Sequence, residues 1–202
     1  MALWLARQPL VLASRSKARQ MLLSAAGVPV EVRPADIDER GLEAAASLAE
    51  PGAIAGLLAR AKASATAAIC PGRLTLGADQ TLALGKECFA KPADLAGARA
   101  QLCALRGRTH ELHSAIAFVK DGTVLFEDVG VARLTMRTFS DRFLDHYLAT
   151  VGDAATTSVG GYQIEGPGAQ LFERIDGDYF TVLGLPLFPA LDFLRRQGCL
   201  AS

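Results

Sequence analysis

The sequence predicts a mixed α/β fold in which helices flank one elongated β-sheet. Residues 10–13 form a short apolar run, typical of a buried strand, and helical spacing follows at once. Further along, an Asp-Gly pair separates two alternating runs, which indicates a β-hairpin. The chain has 202 residues, a length that suits one large domain or two closely packed lobes, and we expect a single domain over residues 1–202.

The first half of the chain alternates between strand and helix signals. After the first strand, Ala18, Met21, Leu22 and Ala25 recur at helical spacing, and Gly27 ends this helix. The other expected elements of this half are an edge strand at 28–32, a polar loop at 36–41, an Ala-rich helix at 53–68 and a strand at 74–84 that carries an acidic residue.

The second half combines hairpins with three helices. Asp94 and Ser140 are the expected N-terminal caps of helices at 94–105 and 140–150. The other expected elements are a hairpin at 110–136 around Asp121-Gly122, a glycine-rich loop at 160–168, a second hairpin with strands at 170–175 and 179–183 around Asp176-Gly177, and an amphipathic helix at 187–196.

Composition and charge exclude several classes of protein. Half of the residues are hydrophobic and 21% are charged, which fits a globular protein and not a disordered one. The 21 Lys and Arg residues balance 21 Asp and Glu residues, whereas nucleic-acid-binding proteins are usually basic. We therefore expect no nucleic-acid partner, and any phosphate site must be a local cluster of cations.

Cysteine usage and hydropathy favour a cytoplasmic protein. The four cysteines form no CxxC pair, and their spacings fit neither a zinc ribbon nor a disulfide framework. The apolar stretch 1–13 is interrupted by Arg7, Gln8 and Pro9, so it lacks the core of a signal peptide. No stretch reaches the roughly 18 apolar residues that span a bilayer, and we expect no membrane association.

The segment from Ser14 to Arg19 is a candidate anion site. It follows a buried strand and opens a helix, where free backbone N–H groups and the helix dipole attract anions. Two hydroxyls and three cations in six residues add charge-assisted donors. The alternative is that Ser14 or Ser16 caps the helix and the cations face water.

Two acidic segments are candidates for catalysis or metal binding. Asp36-Ile37-Asp38-Glu39 places three carboxylates in four residues, which can hold a hard divalent cation or form a solvated acidic loop. Asp79 lies in an apolar strand, where an unpaired charge is costly. We therefore expect Asp79 to be functional, with a hydrogen-bonded structural role as the alternative.

Weaker signals come from lysines, glycines and histidines. Lys91 precedes Pro92 on a fixed turn, and Lys62 lies on the expected polar side of the long helix; either could bind phosphate or face solvent. The four glycines of 160–168 allow a ligand to approach the backbone, but match neither a P-loop nor a dinucleotide motif. His110 and His113 should point to opposite faces of a strand, which argues against a ligand pair.

Taken together, these segments resemble the Maf family of nucleotide pyrophosphatases, in order from residue 10 to about 195. The matching segments are Leu12–Ser16 with Arg19 (L-A-S-x-S-P-R-R), 36–39 (D-I-D-E), 77–80 (G-A-D-[TQ]), Lys91-Pro92 (G-K-P), 107–111 (G-R-T-H-E), 162–168 (Y-x-I-Q-G-x-G) and 184–187 (G-L-P-L). The departures are Lys17 and Ala18 for the usual Pro and first Arg, Ala90 for the Gly before Lys91, and Glu165 for Gln.

The resemblance implies an elongated mixed α/β fold similar to that of the inosine triphosphatases, with two lobes around a cleft, and a homodimer. The implied reaction is attack of water on the α-phosphorus of a nucleoside triphosphate, with release of pyrophosphate and with Mg²⁺ or Mn²⁺ as cofactor. The implied site residues are Asp79 as general base or metal ligand, Glu39 as metal ligand, Lys91 in catalysis and phosphate binding, Ser14, Lys17, Arg19 and Lys62 on the phosphates, and Glu165 near the base or the metal.

The preferred nucleotide is left open by the resemblance. Family members that cleave 7-methyl-GTP carry Glu at the position of Glu165, whereas those that cleave dTTP and UTP tend to carry Gln. Tyr162 and Ile164 are more similar to the second group. Two other functions compete with nucleotide hydrolysis: a non-catalytic regulator of cell division that acts through a partner, and a phosphatase or sugar-phosphate enzyme that uses the same anion site.

Overall fold

The computed structural model describes residues 3–46 and 50–201, and this part of the chain confirms the mixed α/β prediction. The strands are β1 (Leu10–Leu12), β2 (Val30–Val32), β3 (Thr75–Leu84), β4 (Glu87–Phe89), β5 (Thr109–Lys120), β6 (Thr123–Met136) and β7 (Phe172–Asp176). The helices are α1 (Lys17–Ala25), α2 (Glu39–Ala46), α3 (Pro51–Ala68), α4 (Leu95–Leu105), α5 (Asp141–Val151), α6 (Tyr179–Val182) and α7 (Leu187–Arg196).

The strands hydrogen-bond in the order β2-β1-β3-β5-β6-β7, with β4 paired to β3. Strand β1 runs parallel to both β2 and β3, whereas β4 is antiparallel to β3 and β7 is antiparallel to β6. The predicted edge position of the second strand is confirmed. Parallel pairing of β1 and β3 requires a long crossover, which the chain from α1 to α3 supplies.

The chain divides into two compact units. The first comprises the described residues of Met1–Gln80, His113–Gly130 and Asp178–Ser202, and the second comprises Thr81–Leu112 and Val131–Gly177. Strands β3, β5 and β6 each contribute residues to both units. Among residues 3–46 and 50–201, no helix combines the length and apolar character that crossing a membrane requires.

Small side chains hold helix α3 in the core of the first unit. Ala55, Ala59, Ala63 and Ala67 recur every four residues, all are buried, and they form a hydrophobic cluster with residues of β5. Residues at this spacing lie on one face of a helix. Because alanine has only a methyl group, this face lets the helix backbone approach the sheet closely.

The turn and cap predictions are confirmed at several positions. Asp121 and Gly122 join β5 to β6 with positive φ angles of 48° and 79°, as a type I′ hairpin turn requires. The Asp94 carboxylate accepts a hydrogen bond from the Gly97 N–H at 2.7 Å, and the Ser140 hydroxyl accepts one from Phe143 N–H at 3.2 Å. These caps fix the starts of α4 and α5.

Two predicted segments are wrong. Residues 179–183 do not form the second strand of a hairpin, since Tyr179–Val182 is helix α6. The Asp178 carboxylate caps it, accepting hydrogen bonds from the N–H groups of Phe180 and Thr181 at 3.0 and 2.8 Å. This cap outweighs the strand preference of the aromatic residues.

The predicted loop at 36–41 is also wrong over its second half, because helix α2 begins at Glu39. Asp38 accepts a hydrogen bond from Gly41 N–H at 3.0 Å, in the manner of an N-terminal cap.

A buried histidine organises part of the second unit. His110 is fully buried, and its Nε2 lies 2.7 Å from the Tyr162 hydroxyl. Tyr147 donates its hydroxyl hydrogen to the Gly161 carbonyl at 3.1 Å, so both tyrosines anchor the glycine-rich segment. His113 belongs to the first unit.

The buried histidine should make stability depend on pH. Burial lowers the pKa of His110 to about 4, whereas a histidine in the unfolded chain titrates near 6.5. Between these two pKa values the unfolded chain binds a proton at this histidine and the native protein does not. The free energy of unfolding therefore falls as pH drops from 7 towards 4. The difference of about 2.5 pKa units corresponds to roughly 3 kcal/mol.

His110→Gln should reduce the dependence of the free energy of unfolding on pH. The control His146→Gln, at an exposed position, should leave that dependence unchanged. Urea unfolding at pH 7 and pH 4.5 measures both. A wild-type slope in His110→Gln would contradict the assignment.

Candidate active site

Three charged side chains meet at the middle of β3. The Lys62 ammonium lies 2.5 Å from Asp79 Oδ1 and 3.0 Å from Glu39 Oε1. The side chains of Lys62 and Asp79 are each 13% exposed, whereas Glu39 is about half exposed. Of the two alternatives left open for Lys62, the solvated side chain is therefore excluded, because its ammonium turns inward to these carboxylates.

Each member of the group comes from a different element. Asp79 lies within β3, Lys62 lies in the middle of α3, and Glu39 is the first residue of α2. A carboxylate at the first turn of a helix interacts favourably with the helix dipole. The structure thus brings together the two acidic candidates that the sequence singled out separately, and Lys62 bridges them.

Arg19 is a buried cation beside this group. Its Nε donates to the Gly184 carbonyl at 2.8 Å, and its Nη1 donates to the Ala78 carbonyl at 2.7 Å and to Ser14 Oγ at 3.0 Å. Burial lowers the pKa of the guanidinium, and the negative charges of Asp79 and Glu39 oppose that shift. The side chain therefore ties the turn after β1 and the Gly184 turn to β3, one residue before Asp79.

The two serine hydroxyls of the candidate anion site, Ser14 to Arg19, have different roles. Ser16 caps α1, since its side chain accepts from Arg19 N–H at 3.4 Å. Ser14 is buried and accepts from both Ser16 N–H and the Arg19 guanidinium. The capping alternative therefore holds for Ser16, while Ser14 lies against the buried cation and Lys17 is exposed at the start of α1.

Gln80 and its partners were missed as site residues by the sequence analysis. The Gln80 side-chain amide donates to Ser114 Oγ at 2.9 Å and to the carbonyls of Thr181 and Val182 at 3.2 and 3.1 Å. Ser114 also donates to the Thr181 carbonyl at 2.7 Å. These bonds fasten α6 to β3 next to Asp79, and no sequence signal marks them because the partners are 34 to 102 residues apart.

Glu43 is a second missed residue. It lies four residues after Glu39 on α2, one turn along the same helix face. Desolvation, followed by the negative charges of Asp79 and Glu39, raises the pKa of the Glu43 carboxyl. An i, i+4 pair of glutamates at a helix start could have signalled this, but the first of them, Glu39, was expected to lie in the loop at 36–41.

The carboxylate oxygens of this group suit a hard divalent cation whose other ligands are phosphate oxygens and water. Asp79 and Glu39 converge on one cation, the Lys62 ammonium, and carboxylate oxygens are what Mg²⁺ and Mn²⁺ prefer. In the described part of the chain, no group of three or more His, Cys, Asp or Glu residues is arranged to hold a metal. Two carboxylates completed by phosphate oxygens and water are a usual Mg²⁺ site.

The two remaining candidates belong to the second unit. Lys91 is exposed and precedes Pro92, three residues before the cap of α4. Glu165 is exposed in the segment between the short 3₁₀ turns Val159–Gly161 and Pro167–Leu171. The cluster in the first unit therefore comprises Ser14, Arg19, Glu39, Lys62 and Asp79.

Comparison with known proteins matches nearly the whole chain to one family. The family model described as "Maf-like protein" matches residues 9–197. A nucleoside triphosphate pyrophosphatase of Rhodopseudomonas palustris is 59% identical over all of both chains. A 7-methyl-GTP pyrophosphatase of Mesorhizobium japonicum is 52% identical over 96% of this chain and 98% of its own. Among solved structures, a HAM1 protein from Coxiella burnetii aligns with a TM-score of 0.41 and 19% identity, over 63% of this chain and 72% of that one.

Removing the Arg19 side chain should destabilise the protein as well as the site. Arg19→Ala leaves two buried carbonyls and the Ser14 hydroxyl without their donor, at an expected cost of about 3 kcal/mol in the free energy of unfolding. Lys17→Ala removes an exposed cation from the same turn and should change this free energy by less than about 0.5 kcal/mol. Urea unfolding compares the two variants. Equal free energies of unfolding would contradict the stabilising role of the Arg19 hydrogen bonds.

Proposed function

The chain belongs to the Maf-like protein family, and from this premise we propose that it is a nucleoside triphosphate pyrophosphatase that releases a nucleoside monophosphate and pyrophosphate. The printed names of its full-length relatives support this activity. The observation that carries the proposal is the Lys62–Asp79–Glu39 group beside the buried Arg19. It combines a proton acceptor, oxygen ligands and cations, which hydrolysis of a phosphate anhydride needs.

The proposed reaction is one displacement at the α-phosphorus. A water oxygen attacks this phosphorus and loses a proton to the Asp79 carboxylate, while the bond from the α-phosphorus to its bridging oxygen breaks and pyrophosphate leaves. Asp79 suits this role because it is largely shielded and held by Lys62 in one orientation. The alternative role for Asp79 within this proposal is ligation of the divalent cation that would activate the water.

A divalent cation, Mg²⁺ or Mn²⁺, is part of the proposal. Glu39 and Asp79 would hold it, and the bound ion would supply positive charge against the phosphate oxygens. The charge balance supports this. Two cations, Arg19 and Lys62, face two carboxylates, so the cluster has no net positive charge of its own for a polyanionic substrate.

The phosphate-binding roles are assigned by position. Lys62 and Lys17 are the cations of the first unit proposed to contact phosphates, while Ser14 and Arg19 hold the turn that faces them. Lys91 is proposed as a further phosphate contact, with a role in catalysis, and this rests on the family motif. We further propose that the protein works in the cytoplasm as a homodimer, which also rests on the family.

The product distinguishes this activity from its rivals. Purified protein with Mg²⁺ or Mn²⁺, assayed across canonical and modified triphosphates, should release pyrophosphate and a monophosphate without any partner protein. Orthophosphate as the only phosphorus product would indicate a phosphatase. No turnover with any nucleotide would favour a regulatory protein.

Turnover should depend on the divalent cation. Exhaustive chelation should reduce pyrophosphate release to background, and added Mg²⁺ or Mn²⁺ should restore it. Because the described site offers two carboxylates, calorimetry should show weak binding of Mg²⁺ to the protein alone and stronger binding when nucleotide is present. Undiminished turnover in excess chelator would exclude the metal role.

Glu165→Gln should change which nucleotide is preferred, with little effect on stability. A carboxylate only accepts hydrogen bonds, whereas an amide also donates, so Glu165 would favour a guanine edge or a positively charged methylated purine. Glu165 is exposed, so the free energy of unfolding should change by less than about 0.5 kcal/mol. Specificity constants for 7-methyl-GTP, dTTP and UTP measure the ranking. An unchanged ranking would show that Glu165 does not read the base.

A further inference from the structure

Gly77 lies where the backbones of β3 and α3 approach each other closely. A Cβ atom at this position would lie 2.1 Å from the Ala59 carbonyl oxygen, 2.6 Å from the Ala63 nitrogen and 2.8 Å from the Ala63 Cβ. Gly77 is not among the residues with positive φ, so space and not backbone conformation demands glycine here. Two of the three atoms belong to the helix backbone and cannot rotate away.

This contact adjoins the Lys62–Asp79 pair on both elements. Side chains alternate along a strand, so Asp79, two residues after Gly77, points to the same face of β3. On α3, Lys62 immediately precedes Ala63, which touches Gly77. The distance between helix and strand at Gly77 therefore sets how far the Lys62 ammonium must reach to contact Asp79 and Glu39.

We propose that Gly77 is a positioning residue, which acts on the reaction by holding α3 close enough for Lys62 to pair with Asp79 and Glu39. This inference rests on the proposed function, because it gives the pair a catalytic role. A Cβ at this position lies 2.1 Å from the Ala59 carbonyl oxygen, so the backbones would have to move apart by about 1.3 Å to reach the 3.4 Å at which ordinary contact begins. A displacement of that size at a catalytic group can cost about 10²-fold in rate.

Gly56, on helix α3, provides a matched glycine-to-alanine control. A Cβ at Gly56 would lie 4.0 Å from Val129 Cγ2, an ordinary van der Waals distance. Gly56→Ala should therefore leave kcat unchanged. It tests whether any added methyl group on α3 disturbs turnover.

A double-mutant cycle separates positioning from a general loss of structure. The variants are Gly77→Ala, Lys62→Met and the two combined, each with kcat, KM and melting temperature measured on one preparation. Gly77→Ala should lower kcat about 10²-fold with a smaller change in KM. In the Lys62→Met background the same substitution should lower kcat by no more than about 2-fold, because the interaction that it disturbs is already absent.

Ala63→Ser supplies a second, smaller perturbation of the same contact, in case Gly77→Ala does not fold. It should lower kcat about 10-fold in the wild-type background and have little effect in Lys62→Met. A merely structural defect would lower kcat by the same factor in both backgrounds, and that additivity for either substitution would overturn this inference alone. Full turnover in Lys62→Met would overturn both this inference and the proposed site.

Discussion

The structure depends on how four charged groups compensate one another around β3. A charge removed from water is costly unless opposite charges and hydrogen bonds surround it. Arg19, Lys62, Asp79 and Glu39 provide that mutual compensation, and each is brought there by a different element. Removal of any one would leave an uncompensated neighbour, so the stability of this region and its chemistry are linked. On the proposed function, a polyanionic substrate with its divalent cation would enter this neutral cluster by exchanging partners with it.

The packing of β3 on both faces makes this arrangement possible. On one face, Gly77 and the alanines of α3 bring the helix backbone against the strand. On the other, Gln80 and Ser114 bind the carbonyls of α6, and Arg19 binds the Gly184 turn. The strand segment that carries Asp79 is thus fixed on both faces, as expected for a group that must keep one geometry during a reaction.

The sequence predicts much of the fold and part of the site, for identifiable reasons. Local signals were sufficient for the Asp121-Gly122 turn and for the Asp94 and Ser140 caps, because each acts within a few residues. Asp79 could be singled out because a charge in an apolar strand needs an explanation. The inward turn of Lys62 could not be predicted, because its partners are distant in the chain. Asp79 lies 17 positions after Lys62, and Glu39 lies 23 positions before it. Helices α2 and α6 were missed because their caps lie where turn residues also suggested a loop or a hairpin.

The central claim is that Asp79 takes part in the reaction and does not merely stabilise the strand. The most direct test is the rate of pyrophosphate release by Asp79→Asn, measured with melting temperature and nucleotide affinity, and with Asp192→Asn on helix α7 as an exposed acidic control. The account predicts a folded variant that binds nucleotide but turns over at least about 10²-fold more slowly, while the control behaves as wild type. A folded Asp79→Asn that keeps more than roughly a tenth of wild-type turnover would show that Asp79 is structural.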